Sequence, residues 1–420
     1  MATASINDPV PPTDPTANPP FLRRVRIQGY KSIAFCDVFL QPLTILVGRN
    51  SSGKSNFLDA LAFLSDVVAK GTDEAVRLHG GRHSILNRSG DQSTVSFEIE
   101  SSYQDEESRQ TFTAEYQIEI GMPAKARPLV VSERLRITSD SDREAAGFER
   151  GDERLKIRDK YYCFGDMENI CPVDRAFLFY YPPIPVLELG VGIESAGFYN
   201  FSPDAIRELQ ALNPGSRLER NGRNLASVIE SVSEIDKDVI DRIQAYLSVI
   251  VEEVEGFKVV HYGEFETIRF QLRSGGGQSL EFDAASMSDG TLRVLATLVA
   301  AFQVQPGGPR VIGIEEPETA LHPAAMRALV EALDEASGQK QILLTTHSAD
   351  LLTDLAPRWS QVLIVKNVEG QTQITPVDAA SREIIEKELY TLADLQRQDL
   401  LELNQADLKR QSEAQAGTEE

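Results

Sequence analysis

The feature that most constrains this 420-residue chain is a run of eight residues, Gly48-Arg-Asn-Ser-Ser-Gly-Lys-Ser55. It fits G-x-x-x-x-G-K-[ST] at every fixed position. A short apolar run, Leu43 to Val47, precedes it. Leu58, Leu61, Leu64 and Val68 follow at helical spacing, with Gly71 as a stop. Buried strand, glycine turn, helix is the order in which successive backbone N–H groups curl around phosphate oxygens and meet the positive end of a helix dipole. In that setting Lys54 reaches the β- and γ-phosphates and the Ser55 hydroxyl holds Mg²⁺. The competing reading, a glycine- and serine-rich turn with no ligand, does not account for the strand and helix that flank it.

The rest of the composition excludes whole classes. Acidic residues number 64 against 42 basic ones, for a net charge of −22. That argues against a general nucleic-acid coat but leaves room for a local basic groove. Cys36, Cys163 and Cys171 form no CxxC pair and have no nearby histidine, which argues against a zinc site. They are too few for a disulfide framework. No apolar run approaches the length of a membrane span, and residues 1–20 lack the basic and apolar regions of a signal peptide. The expected location is the cytoplasm, with no membrane partner.

Pattern divides the chain into five stretches. Residues 1–20 are rich in proline and read as a disordered leader. Residues 21–200 carry the phosphate loop and then a β-rich stretch. There Val95, Phe97 and Ile99, then Ala114, Tyr116, Ile118 and Ile120, alternate with polar residues. Leu135 with Ile137, and Phe177 to Tyr181, continue the antiparallel pattern. Residues 201–255 turn helical, with Ile229, Val232, Ile235 and then Val239, Ile243, Leu247 as apolar repeats. Residues 256–380 begin with strands around Ile268 and Leu280, joined by a Gly275–Gly277 turn. After Gly290 they alternate helix and strand, the mark of a parallel sheet with crossover helices. In residues 381–420 Ile385, Leu389, Leu392 and Leu395 share one helical face. The fold class is α/β.

Three further motifs carry chemistry. Val311 to Ile314 is an apolar run that ends in Glu315-Glu316-Pro-Glu318. Carboxylates at the carboxyl end of a buried parallel strand sit where such sheets bind ligands. Beside a phosphate loop, Glu315 suits a role in holding Mg²⁺ and Glu316 suits polarising an attacking water. The bland reading is a charged entry to the helix that Pro323 starts. Gln341 to Thr346 is another strand, and it ends at His347, whose imidazole can hydrogen-bond a γ-phosphate. Ser288-Asp-Gly290 precedes a helix. Ser288 is by itself an ordinary N-cap, and the sharper reading is that this turn contacts nucleotide held by a second molecule.

Taken together, the four motifs resemble the ABC-type ATPase heads of the SMC, RecF and OLD-nuclease group, across about residues 21–370. The set Gly48, Arg49, Asn50, Ser51, Ser52, Gly53, Lys54, Ser55 and Asn56 matches their phosphate loop. Ser288 and Gly290 match a degenerate signature motif with Asp289 in a glycine position. Ile314 to Glu318 followed by Leu321-His-Pro323 resembles the Walker B and D-loop run, and His347 the switch histidine. Tyr30-Lys31-Ser32 resembles an early aromatic-Lys-Ser element, which places Lys31 near the nucleotide. The resemblance implies a P-loop head with an antiparallel β subdomain and a short helical insertion. It implies ATP and Mg²⁺ as cofactors and hydrolysis of ATP to ADP and phosphate. Glu316, His347 and Lys54 would be the catalytic residues, with Ser55 and Glu315 on the metal.

The same resemblance implies a homodimer or higher homo-oligomer that closes around nucleotide. Only 73 residues follow His347, and they hold no Asp-x-Asp, so no Toprim nuclease is expected in this chain. A separately encoded nuclease or effector, in phage defence or DNA repair, is the implied partner. Two readings stand beside it. One is an ATP-sensing assembly scaffold with little hydrolysis. The other is a DNA-binding repair ATPase whose groove would use Arg217, Arg220 and Arg223, or Arg23, Arg24 and Arg26.

Overall fold

The computed structural model describes residues 21–88, 93–104, 110–139, 142–150, 155–159, 174–179, 190, 192–215, 217–274, 279–303, 308–355 and 359–416. The proline-rich leader, Cys163, Cys171, Tyr180, Tyr181 and the Gly275–Gly277 turn lie outside these residues. The chain forms two compact units. The first draws on Met1–Ala196, Arg358–Tyr390 and Asp399–Glu420, the second on Gly197–Pro357 and Thr391–Gln398.

The first unit holds a seven-stranded antiparallel sheet in the order Ile33–Phe39, Phe21–Tyr30, Thr94–Gln104, Thr111–Gly121, Leu129–Ser139, Asp142–Arg150, Leu155–Asp159. The period-two pattern sets its faces. Val95, Phe97, Ile99, Tyr116, Ile118 and Ile120 are buried. Onto that face packs the helix Lys54–Lys70, which brings Phe63 within 5.6 Å of the Tyr30 ring and 6.1 Å of Phe97. A second, mixed set of strands lies behind the phosphate loop. Leu43–Val47 runs parallel to Val362–Val368, which pairs antiparallel with Gln371–Pro376. All five residues of Leu43–Val47 are buried, which explains an apolar run with no alternation.

Phe177 departs from the expected strand. Residues Phe177–Phe179 form a 3₁₀ turn, because the buried carboxylate of Glu133 accepts the backbone N–H groups of Phe177 and Leu178 at 2.6 and 3.0 Å. Those donors are thereby taken from any ladder. The tail departs too. Its apolar residues do not share one helix. Ala379–Glu386 stops before Glu388, whose φ is 55°, and Leu389 is exposed. Leu392–Arg397 then restarts under a Thr391 capping box.

In the second unit Gly197–Tyr199, Val311–Glu315 and Gln341–Thr346 pair in parallel. The helix Pro323–Ser337 makes the crossover between the last two. Helix Asp289–Phe302 is buried nearly all round. A separate antiparallel sheet contains Val254–Tyr262, Phe265–Arg273 and Ser279–Asp283, with the short Gln210–Ala211. Helices Leu225–Ile235 and Lys237–Ile250 pack against Val254–Tyr262.

Candidate functional site

The phosphate loop joins Leu43–Val47 to Lys54–Lys70, and sterics fix its path. A Cβ at Gly48 would lie 2.2 Å from the Val365 carbonyl oxygen. Ser51 and Gly53 have φ of 64° and +105°, and a Cβ at Gly53 would fall 1.8 Å from Thr372 Oγ1. Glycine is therefore required at positions 48 and 53. A chain of hydrogen bonds buttresses the loop from behind. Asn56 Nδ2 donates to Ser32 Oγ at 2.5 Å, Ser32 Oγ meets Thr372 Oγ1 at 2.7 Å, and Thr372 Oγ1 donates to the Ser52 carbonyl at 3.0 Å.

The loop presents hydrogen-bond donors. Lys54 is 5% exposed, and its ammonium donates to the carbonyls of Gly48 at 2.8 Å and Arg49 at 3.0 Å. The buried Ser52 hydroxyl has no hydrogen-bond partner among the described residues. The helix starts at Gly53 with no side-chain cap and no acidic residue in its first turn. An ammonium, an orphaned hydroxyl and uncapped N–H groups fit the oxygens of a polyphosphate. Arg49, Asn50, Ser51 and Ser55 are exposed on the rim, with Arg49 3.8 Å from Asp399.

Lys31 sits in a tight turn at φ 48°, its ammonium 2.5 Å from Asp59. Asp59 also accepts the Tyr30 hydroxyl at 2.6 Å and faces His79 Nδ1 at 3.2 Å, while His79 Nε2 is 3.0 Å from Asp66. Burial alone would raise the Asp59 pKa. Its contacts with His79, Lys31 and Tyr30 outweigh that and hold it far below the usual carboxylate range. Burial would likewise lower His79, yet the two carboxylates raise it. In this turn it is Ser32 that joins the phosphate loop, and Lys31 is tied to Asp59.

In the second unit the acidic run leaves the end of Val311–Glu315. The Glu315 carboxylate is 3.6 Å from Arg220. Glu316 adopts a left-handed φ of 43°, and its N–H donates to the Thr345 carbonyl at 3.0 Å. Its carboxylate meets His347, with Nδ1 at 3.1 Å. The structure thus brings Glu316 and His347 together, both part-exposed. Glu318 is buried beneath them. Thr346 Oγ1 donates to one of its oxygens and the other has no partner among the described residues. Burial raises its pKa, and the Thr346 hydrogen bond only partly offsets that.

Ser288 caps Asp289–Phe302, its Oγ accepting from Thr291 N at 3.2 Å. A Cβ at Gly290 would lie 2.4 Å from the Ala320 carbonyl oxygen, so glycine lets the Ser288–Gly290 turn press against the segment that follows Glu316. Asp289 pairs with Arg207, which also donates to the Met287 carbonyl at 3.1 Å. The candidates therefore form two sets. Lys31 and the loop from Gly48 to Asn56 belong to the first unit, and Ser288, Gly290, Glu315, Glu316 and His347 to the second. Sequence reasoning missed Thr372 and Glu318. Thr372 meets the loop across a separation of 320 residues and carries no local signal. Glu318 stood in the acidic run but was given no role of its own.

Comparisons with known proteins bear on the family and the fold. A family model described as "AAA domain, putative AbiEii toxin, Type IV TA system" matches residues 43–161 and 193–354. No curated protein matches the chain. Among solved structures, an Smc head bound to the C-winged helix domain of ScpA is 12% identical with a TM-score of 0.51. That match covers 84% of this chain and 97% of that one. At such identity it speaks for the fold alone. An SMC head domain from Thermotoga maritima is 13% identical over 85% of this chain and 99% of its own, with a TM-score of 0.42. With well over half of its residues matched by that AAA model, and with the mixed α/β fold of an SMC-type head, the chain belongs to this AAA ATPase domain family.

Proposed function

We propose that the chain binds Mg·ATP on the Gly48–Ser55 loop, hydrolyses it, and works as a nucleotide-driven switch that dimerises. The observation that carries this reading is the loop itself: two obligatory glycines, a buried lysine and a buried hydroxyl with no partner among the described residues. Bound Mg·ATP would supply the phosphoryl group and the metal charge that draws electrons from it. Lys54 would exchange the Gly48 and Arg49 carbonyls for phosphate oxygens. Ser55 and Glu315 offer hard oxygen ligands that suit Mg²⁺. Glu316 would orient water and accept its proton, with His347 holding the carboxylate in place. The turn at Ser288 and Gly290 would close on nucleotide held by a second copy.

An Smc head of similar fold is bound to a winged-helix domain of another protein. By analogy we infer a separately encoded partner, a nuclease or effector in phage defence or DNA repair, acting in the cytoplasm. Among the described residues no helix is long and apolar enough to cross a membrane. A scaffold with slow turnover is the second reading. It is favoured by Ser288, whose hydroxyl is engaged as a cap, and by Asp289, whose charge is paired to Arg207. A DNA groove on Arg23, Arg24 and Arg26 has less support, since Glu100, Asp37 and Glu98 neutralise them.

Turnover and binding separate these readings. Lys54→Ala should lose ATP binding, and Glu316→Gln should bind ATP but release no phosphate. Wild-type hydrolysis by Glu316→Gln would remove Glu316 from the reaction. ATP binding with no phosphate release by the wild type would favour the scaffold.

A further inference from the structure

Away from these sites, the second unit gathers three metal-type ligands from three elements. His261 lies near the end of Val254–Tyr262 and Glu266 near the start of Phe265–Arg273, and the two face each other across the hairpin. Glu230 reaches them from the helix Leu225–Ile235. His261 Nε2 is 2.8 Å from Glu230 Oε1. One ligand atom from each of the three residues falls within 4.8 Å of the others.

The burial of Glu266 is the second, independent observation. It is 1% exposed. One carboxylate oxygen contacts Ser227 Oγ, one turn before Glu230 on the same helix face. The other oxygen, Oε2, is buried with no hydrogen-bond partner among the described residues. A buried carboxylate oxygen left unpaired is costly unless a cation or a donor meets it. The buried Glu266 thus lies in one cluster with a half-exposed carboxylate and an exposed imidazole, and an ion would enter from the side of those two.

We propose that Glu230, His261 and Glu266 bind a divalent transition-metal cation of the Zn²⁺ class, separate from the Mg²⁺ of the nucleotide site. The donor set is one imidazole nitrogen and two carboxylate oxygens. Two carboxylates balance the charge of a divalent ion, and the imidazole selects transition metals over Ca²⁺ or Mg²⁺. Three protein ligands leave a position for water. The ion would pin helix Leu225–Ile235 to the hairpin, since its ligands come from both. The cysteine count argued against a zinc site, but this cluster uses no thiolate, and its members are spread over 37 positions with no recognisable spacing.

The test uses the full chain, stripped with chelator and held in excess Mg²⁺. Zn²⁺ and Co²⁺ are titrated by calorimetry and by visible absorption. Wild type should bind one equivalent of Zn²⁺, melt several degrees higher when loaded, and give a Co²⁺ d–d spectrum that Zn²⁺ abolishes. His261→Ala and Glu230→Gln change exposed or half-exposed positions, so they should fold. Each should weaken Zn²⁺ by more than about tenfold. Glu266→Gln should do the same, and His347→Ala should leave this binding intact. The proposal is overturned if wild type takes up no Zn²⁺ under these conditions. It is also overturned if His261→Ala and Glu230→Gln bind as wild type does, or if His347→Ala alone removes the equivalent.

Discussion

At the scale of the residue, the phosphate loop is set by what cannot fit. Gly53→Ala would force an alanine to φ +105° and drive its Cβ into Thr372. The backbone term alone is about 1–2 kcal/mol. Gly53→Ala should therefore weaken ATP binding by more than about tenfold and lower the melting temperature, as read by fluorescent-nucleotide titration and a thermal scan. Thr372→Val keeps the shape but removes the bond to the Ser52 carbonyl, and about 1 kcal/mol of stability should go with it. His347 calls for a kinetic measurement. If its imidazole positions Glu316, His347→Ala should lower kcat about tenfold to a hundredfold while the Kd for ATP stays within about threefold. The loop residues were legible because a phosphate site needs their types at fixed spacing. Thr372 was not, since a hydroxyl acting from a distant strand leaves no pattern. The conformation of Glu316 was not legible either, because φ belongs to the fold and a letter does not encode it.

At the scale of the element, the clearest case is the clamp around Asp37. The strand Ile33–Phe39 buries this carboxylate completely. Arg24 donates to it at 2.7 and 2.6 Å, Arg26 lies at 3.1 Å and Arg410 at 2.6 Å. Gln411 accepts the Asp37 N–H and donates to the Ile374 carbonyl, so helix Gln405–Ala416 is fixed to two strands. Burial would raise the Asp37 pKa, but the hydrogen bond from Arg24 and the charges of Arg410, Arg24 and Arg26 bring it down to about 2. A depressed folded pKa adds stability above the unfolded value, here 3.8, and that stability fades as pH falls through about 2. Its size is about 2 kcal/mol. Asp37→Asn should thus be less stable than wild type at neutral pH by denaturant melts, and the gap should close between about pH 4 and pH 2. A gap that stays constant across that window would put the effect in packing. Sequence pattern anticipated the strand Leu43–Val47, the helix Lys54–Lys70 and the alternation after Gly290, because period and burial agree there. It failed at the tail. Ile385, Leu389, Leu392 and Leu395 share a spacing, but a left-handed Glu388 divides them.

At the scale of the whole molecule, the proposed switch requires two copies. Ser288 is exposed, so arginine fits there in a monomer. Ser288→Arg should keep most nucleotide binding while ATP no longer raises the mass measured by light scattering, and turnover should fall with it. Ser288→Ala is the companion variant. It loses only the cap, about 1 kcal/mol, and should still dimerise. Full activity in Ser288→Arg would reduce that serine to a helix cap.

The two units share one backbone that passes between them after Ala196, Pro357, Tyr390 and Gln398. Composition and motif order said little about this, since it depends on which distant segments meet. Arg410 is made 373 residues after Asp37. At roughly 5–20 residues per second, a ribosome needs about 20 to 75 s to cover that distance. Throughout that interval the strand bearing Asp37 exists without one of its three arginines and without the helix Gln405–Ala416 that is later fixed to it. A chain grown only as far as residue 409 would hold the buried Asp37 carboxylate with two arginines in place of three.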